Sequence, residues 1–306
     1  MIPLSVPSIK GNEWKYVKEC LDTEWISSVG KYVDKFEQDV ENYLGAKYAI
    51  ACMNGTSALH ISLILVGVKP HDEVIVPTIT FIAPANAVKY VGAEPVFMDC
   101  DDYCNVDINK VRSFFETQCD FINGNLINKK TGRRIAAIIP VHVLGTPVDM
   151  DPLLELAQIY NVKVMEDATE SLGSEYKGKK TGALGLLGCL SFNGNKIITT
   201  GGGGMIVTDD EHLARRAKYL TTQAKEEGME YIHNEIGLNY RLVNVLAAIG
   251  VAQLEEIDNY LEIKRSNFNL YKKLLADTHY TLLDEPDYAK SNKWFYAVMC
   301  KDKKEK

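Results

Sequence analysis

The stretch Tyr48-Ala-Ile-Ala-Cys-Met-Asn-Gly-Thr-Ser-Ala-Leu-His-Ile-Ser-Leu-Ile-Leu-Val66 runs from a short apolar segment, 48–52, into a helical one, 57–66, through a turn of small and polar residues. A five-residue apolar run feeding directly into a helix is the unit from which parallel sheets are built. The pattern recurs. Apolar runs, several rich in Val and Ile, at 73–76, 95–98, 135–140, 162–166, 188–192 and 205–208 read as strands, and 83–90, 109–115 and 152–160 read as helices between them. Thr56, Asp107 and Asp151 stand where N-terminal caps belong. Alternation on this scale predicts an α/β fold: a central, mainly parallel sheet with helices on both faces. Two amphipathic helices, 13–21 and 35–44, precede it, joined by a loop-like Trp25-Ile-Ser-Ser-Val-Gly30; helices at 211–220 and 242–275, the second long and bent, follow it. Asn123-Gly-Asn and Lys129-Lys-Thr-Gly mark turns of a hairpin or loop within 117–134, and 294–300 reads as a strand. Residues 1–245 are expected to form the large unit, and 246–306 the start of a small C-terminal one.

Length and composition narrow the function. The 306 residues are 46% hydrophobic and 25% charged, close to the average soluble globular chain. With 41 acidic against 34 basic residues, the net charge of −7 supplies no field to draw in nucleic acid or an anionic membrane. The longest apolar run, 58–68, is interrupted by His60 and Ser62 and is too short to span a bilayer. Met1-Ile-Pro-Leu-Ser-Val-Pro shows no basic region before an apolar core, so no export signal is expected. The cysteines at 20, 52, 100, 104, 119, 189 and 300 are odd in number and lack metal-knuckle spacing, which predicts reduced thiols in a cytoplasmic protein.

In an open α/β sheet, ligands collect at the carboxyl ends of the strands, and four features fall there. The turn Asn54-Gly-Thr-Ser57 opens an apolar helix; the amides of Gly55, Thr56 and Ser57 and two hydroxyls suit either an ordinary cap or a phosphate cup. Asp167 closes an apolar strand, where its carboxylate can pair with a cationic ring nitrogen, hold a ribose or cap the next turn. Lys196, in Ser191-Phe-Asn-Gly-Asn-Lys-Ile-Ile-Thr-Thr-Gly-Gly-Gly-Gly204, is either a solvated charge or a desolvated amine reactive toward aldehydes. The four glycines require backbone with positive φ or a close neighbour. Phe81, after a strand and a turn, packs in the core or stacks on a planar ligand. Gly173-Ser-Glu-Tyr-Lys-Gly-Lys-Lys-Thr181 approaches a nucleotide-triphosphatase loop. It puts Lys180 where the magnesium-binding hydroxyl belongs, and no buried strand leads into it, so it reads as an exposed basic turn.

The order of these features matches what pyridoxal phosphate requires: a phosphate anchor, a ring cover, an acid for the ring nitrogen and a lysine for the aldehyde. From Ile2 to about residue 300 the sequence resembles the DegT/DnrJ/StrS nucleotide-sugar aminotransferases. That resemblance implies an aspartate-aminotransferase-like fold with an incomplete small domain, and homodimers with shared active sites. It further implies that Lys196 captures the cofactor and later moves the proton, that Asp167 pairs with the pyridinium nitrogen, and that Phe81 covers the ring. Gly55, Thr56, Ser57 and Ser191 would hold the phosphate. Glu170, where many relatives carry Gln, would lie near the ring hydroxyl. Gly237-Leu-Asn-Tyr-Arg241 matches the family's Gly-x-Asn-x-Arg, so Asn239 would reach the neighbouring subunit's phosphate.

Within the family, Glu166-Asp-Ala-Thr-Glu-Ser171, the segment 193–205 and Leu4-Ser-Val-Pro7 look most like the 4-aminotransferases of the bacillosamine and legionaminic acid routes. The implied reaction moves an amine from L-glutamate to C4 of a nucleotide-linked, usually UDP-linked, 4-keto-6-deoxy-N-acetylhexosamine. Relatives normally continue for several dozen residues, and Lys301-Asp-Lys-Lys-Glu-Lys306 reads as a solvated end, so a truncated, inactive cofactor-binding relative is one rival. A fold-related dehydratase or lyase is another; dehydratase relatives replace the lysine with His, whereas Lys196 is present.

Overall fold

The structure, a computed structural model, describes residues 4–226 and 229–300; the 301–306 end lies outside them. In chain order, α1 (Glu13–Asp22) and α2 (Lys31–Leu44) precede β1 (Tyr48–Cys52), α3 (Gly55–Leu65), β2 (Glu73–Pro77), α4 (Ala83–Tyr90) and β3 (Glu94–Met98). Then come α5 (Ile108–Gln118), β4 (Cys119–Ile122), β5 (Asn125–Asn128), β6 (Ile135–Ile138), α6 (Met150–Ile159) and β7 (Lys163–Asp167). A small hairpin, β8 (Glu175–Tyr176) and β9 (Lys179–Lys180), leads to β10 (Leu187–Ser191), β11 (Gly204–Thr208) and α7 (Glu211–Thr221). The remainder comprises α8 (Asn244–Glu255), α9 (Ile257–Leu274), β12 (Thr281–Leu282), β13 (Ala289–Lys290) and β14 (Val298–Met299).

Seven strands form the main sheet in the order β1-β11-β10-β7-β6-β2-β3. Only β11 opposes the rest: it runs antiparallel to both β1 and β10, while β10, β7, β6, β2 and β3 pair in parallel. The near-continuous apolar runs follow from burial on both faces. Side chains alternate between them. In β11, Met205 and Val207 join Phe36, Phe192 and Val251 on one side, and Ile206 joins Leu59, Ile61 and Leu220 on the other. A third cluster, centred on Ile75, Ile138, Phe115 and Leu153, seats α5 and α6.

Local chemistry sets several boundaries that the sequence reading misplaces. The cap of α3 is Asn54, not Thr56: its Oδ1 accepts hydrogen bonds from the Ser57 amide (2.8 Å) and hydroxyl (2.9 Å). Asp107 caps α5 as expected. Asp151 lies inside the first turn of α6; the N-cap position belongs to Asp149, whose carboxylate is taken by the Tyr176 hydroxyl (2.7 Å). Helix α2 starts a turn early, at Lys31, because Asn244 Oδ1 accepts from the Tyr32 amide (3.0 Å) across 212 residues. The single helix expected over 242–275 is two, broken at Glu256, which takes φ −104° and ψ 3°. Helix α8 packs on α1 and α2, and the boundary expected between 245 and 246 falls within it. The hairpin β4–β5 turns on Asn123 (φ 50°) and Gly124 (φ 77°), the left-handed pair an Asn-Gly turn favours. Of 294–300, only Val298–Met299 is strand, paired with Thr281–Leu282.

Phe36 of α2 is fully buried, its ring 4.8 Å from that of Phe192, and its ring atoms approach to 2.7 Å of where a Cβ on Gly250 would lie. Phe36→Ala leaves a void there that neither neighbour can fill. It is expected to cost about 3–5 kcal/mol of unfolding free energy, seen as a lower urea midpoint; an unmoved midpoint would deny α2 a part in the core.

Candidate functional site

The carboxyl ends of the parallel strands open onto a cavity of ≈ 300 Å³. Asn54, Gly55 and Thr56 follow β1, Thr80 and Phe81 follow β2, Val141 follows β6, and Asp167 and Glu170 come from the end of β7. Ser191 ends β10, and Asn193, Asn195 and Lys196 belong to the turn beyond it. Trp294 closes the cavity from the C-terminal segment.

The cup at the start of α3 is wedged between two strands. A Cβ on Gly55 would lie 2.9 Å from Ser191 Cβ, and one on Gly204 would lie 2.4 Å from the Asn54 carbonyl carbon. The glycine run therefore answers to both demands the sequence raised: Gly201 takes φ +82°, and Gly204 lets β11 meet the cup. Gly55 and Thr56, whose first-turn amides have no acceptor within the helix, and Ser191 border this end, which suits an anion.

Asp167 is buried beside the cup, its Oδ1 accepting from the Thr169 amide (3.1 Å). Burial pushes its carboxyl up, while Thr169, the Lys196 cation and His142 draw it back. Burial likewise pushes the Lys196 ammonium down, opposed by Glu170 and Asp167. Lys196 Nζ stands 4.0 Å from Glu170 Oε1 and 4.1 Å from the centroid of the Trp294 ring. Glu170 is itself raised by burial, partly offset by Lys196 and by the Leu144 amide, which donates to its Oε2 at 2.8 Å. A lysine and an acid, both withdrawn from water on one cavity, form the pair that an aldehyde and a ring nitrogen would meet. A buried orphan adds to the fit: Thr80 Oγ1 finds no hydrogen-bond partner among the described residues, and Thr80 borders the cavity.

Behind Asp167 the neighbouring Glu166 is fully buried. It accepts from the amides of Gly182 (2.9 Å), Leu184 (2.6 Å) and Gly185 (2.6 Å) and contacts His142 Nε2 at 3.0 Å. The Val148 amide donates to His142 Nδ1 (3.0 Å), which puts the ring proton on Nε2, facing Glu166.

Seven of the nine residues singled out in the sequence border the cavity: Lys196, Gly55, Thr56, Phe81, Asp167, Glu170 and Ser191. Phe81 stands at the mouth, 71% exposed. Ser57 does not border it, because its amide and hydroxyl are both spent on Asn54. Asn239 is exposed and away from it, its Oδ1 accepting from Arg241 Nε (3.1 Å). The sequence reading missed Asn54, Thr80 and Trp294. Asn54 stands inside the turn it quoted, and Thr80 directly precedes Phe81; Trp294 carried no local signal, as its place rests on Nε1–H donating to the Asn195 carbonyl (2.6 Å). The stretch 173–181 contains the β8–β9 hairpin, with Lys177 (φ 47°) at its tip paired to Asp151 at 2.6 Å, and takes no part in the cavity. No helix among the described residues is long and apolar enough to cross a membrane.

Residues 7–306 match the DegT/DnrJ/EryC1/StrS aminotransferase family. The chain is 46% identical to a GDP-perosamine synthase of Caulobacter vibrioides over 90% of its own length and 70% of that protein's. It is 33% identical to a UDP-4-amino-4,6-dideoxy-N-acetyl-beta-L-altrosamine transaminase of Campylobacter jejuni, over 98% and 76%. Among solved structures, the aminotransferase TlmJ from Streptoalloteichus hindustanus superposes with a TM-score of 0.87 at 29% identity, covering 97% of this chain and 78% of that one.

Thr80→Val keeps the shape and removes the orphaned hydroxyl. It is expected to stabilise the cofactor-free protein by about 1 kcal/mol and to weaken retention of pyridoxal phosphate about fivefold. Thermal unfolding and equilibrium dialysis read the two effects. If both stay flat, the hydroxyl does not face the ligand.

Proposed function

The chain belongs to the DegT/DnrJ/EryC1/StrS aminotransferase family and is a pyridoxal-phosphate-dependent sugar aminotransferase; from that premise we propose that it moves an amino group from L-glutamate to C4 of a nucleotide-linked 4-keto-6-deoxyhexose. The observation that supports this most is the half-buried Lys196 on the same cavity as the buried Asp167, next to the N-terminus of α3, which suits a phosphate. The sequence resemblance favours a UDP-linked N-acetyl sugar, whereas the perosamine synthase that shares 46% identity carries GDP in its name. We favour GDP as the carrier.

Bound in this cavity, the cofactor supplies an aldehyde that captures amines and a ring that withdraws electrons from the adjoining carbon. Lys196 provides the amine that holds it and, when released, carries a proton at Nζ to and from the carbon being aminated. The Asp167 carboxylate, kept from water, meets the ring nitrogen and holds its proton. The amides at Gly55 and Thr56 and the hydroxyls of Thr56 and Ser191 take the phosphate, and Ser57 stiffens that turn through Asn54. Phe81, at the mouth, would cover one ring face, and Glu170 would lie near the ring hydroxyl. Asn239, exposed on a stretch that includes Ile236 (90% exposed) and Tyr231 (84%), reaches the cup of a second copy in a homodimer.

Glutamate-dependent amination across a panel of GDP- and UDP-linked 4-keto sugars tests the reaction, with 2-oxoglutarate formed in equal amount; no amination of any member would refute the reading. Lys196→Ala is expected to lose the borohydride-sensitive visible absorbance of the holoprotein, and retention of that absorbance would move the attachment elsewhere. Asp167→Asn is expected to keep the cofactor yet lose about a hundredfold in rate; a full-speed variant would remove the acid from its role.

A further inference from the structure

The Lys196 amine is lodged between two side chains that sequence spacing does not bring together. On one side is the Glu170 carboxylate at 4.0 Å, on the other the face of Trp294 at 4.1 Å. A carboxylate attracts a cation through its charge, and an aromatic face does so through its quadrupole. Neither offers comparable attraction to a neutral amine.

The two are tied into one unit. Asn292 Nδ2 donates to the backbone carbonyls of Glu170 and Leu172, both at 2.9 Å, while its Oδ1 accepts from the Trp294 amide (2.9 Å). The indole N–H is held in turn by Asn195, next to Lys196. The segment presenting the ring is thus anchored both to the acid's segment and to the lysine's.

We propose that Glu170 and Trp294 form a rest for the ε-ammonium form of Lys196, which the side chain occupies once its released amine has taken up a proton. The inference deepens the assignment of Lys196 made above and rests on it. Glu170 and Trp294 act here as positioning residues. In this rest the lysine that has taken up a proton stays beside the reacting carbon rather than swinging into solvent.

Other charged groups stand around it. Asp167 borders the same cavity, and Lys10, Glu256 and Lys264 border a second cavity of ≈ 500 Å³ that Lys196 shares. Lys264 Nζ donates to the Trp294 carbonyl (3.0 Å). Burial works against the ammonium, so the rest decides how much of the amine is free base at a given pH. Removing either stabiliser lets the proton leave at lower pH and makes the amine more reactive near neutrality.

The test uses the full chain freed of cofactor, with pyridoxal, which lacks the phosphate, as the aldehyde. Adducts are trapped with borohydride and the Lys196 peptide is quantified by mass spectrometry across pH. Trp294→Leu and Glu170→Gln are each expected to move the rise of the rate to lower pH, with about two- to fivefold faster trapping at pH 7. Trp294→Phe, which keeps a ring and a smaller quadrupole, is expected to fall between parent and Trp294→Leu. Profiles that coincide for the parent, Glu170→Gln and Trp294→Phe, all with native circular dichroism, overturn the rest while leaving the assignment of Lys196 standing. A parent that gives no adduct at Lys196 overturns that assignment, and the rest with it.

Discussion

Two opposite charges held away from water at one edge of a buried sheet set the terms for everything around them. Isolated, either Asp167 or Lys196 would be driven toward its neutral form by desolvation. Each is compensated by the other and by fixed groups: Thr169 for the acid, Glu170 and the Trp294 face for the amine. Such compensation works only if the frame does not relax. Glu166 supplies much of that rigidity. Adjacent strand residues point to opposite faces, so Asp167 can face the cavity while Glu166 gathers three backbone amides and His142 behind it.

Much of this was legible in the chain because the signals were local. The seven strands of the main sheet declare themselves as short apolar runs, several of them rich in Val and Ile, and the parallel core follows from the helices between them. The antiparallel β11 does not: its sequence is as apolar as its neighbours', and only the tight Gly-Gly-Gly-Gly turn hints that the chain doubles back from β10. The site residues were legible for a similar reason. Gly55, Thr56, Asp167, Ser191 and Lys196 all lie at a strand end, where a short polar interruption marks the sheet's open edge.

What escaped the sequence rests on contacts between distant segments. Helix α2 begins at Lys31 because Asn244 is there to accept from the Tyr32 amide across the core. Ser57 looks like a ligand hydroxyl until Asn54 claims it. Trp294 sits in a stretch whose apolar, aromatic character reads as strand, yet its backbone is held by Asn292 and its indole by Asn195, and neither bond leaves a trace in local pattern. The break at Glu256 is similar: the residues on both sides favour helix, and the break owes nothing to proline or glycine.

The pairing of β1 with β11, Tyr48 opposite Thr208, has a consequence for how the protein comes into being. During synthesis β1 emerges early and then waits, its hydrogen-bonding edge unpaired, until the chain has been extended past residue 208. At ordinary translation speeds that interval is roughly ten to thirty seconds. The first strand of the sheet is thus the last to find its neighbour. The cavity at its tip cannot begin to take shape before residue 208 has been made.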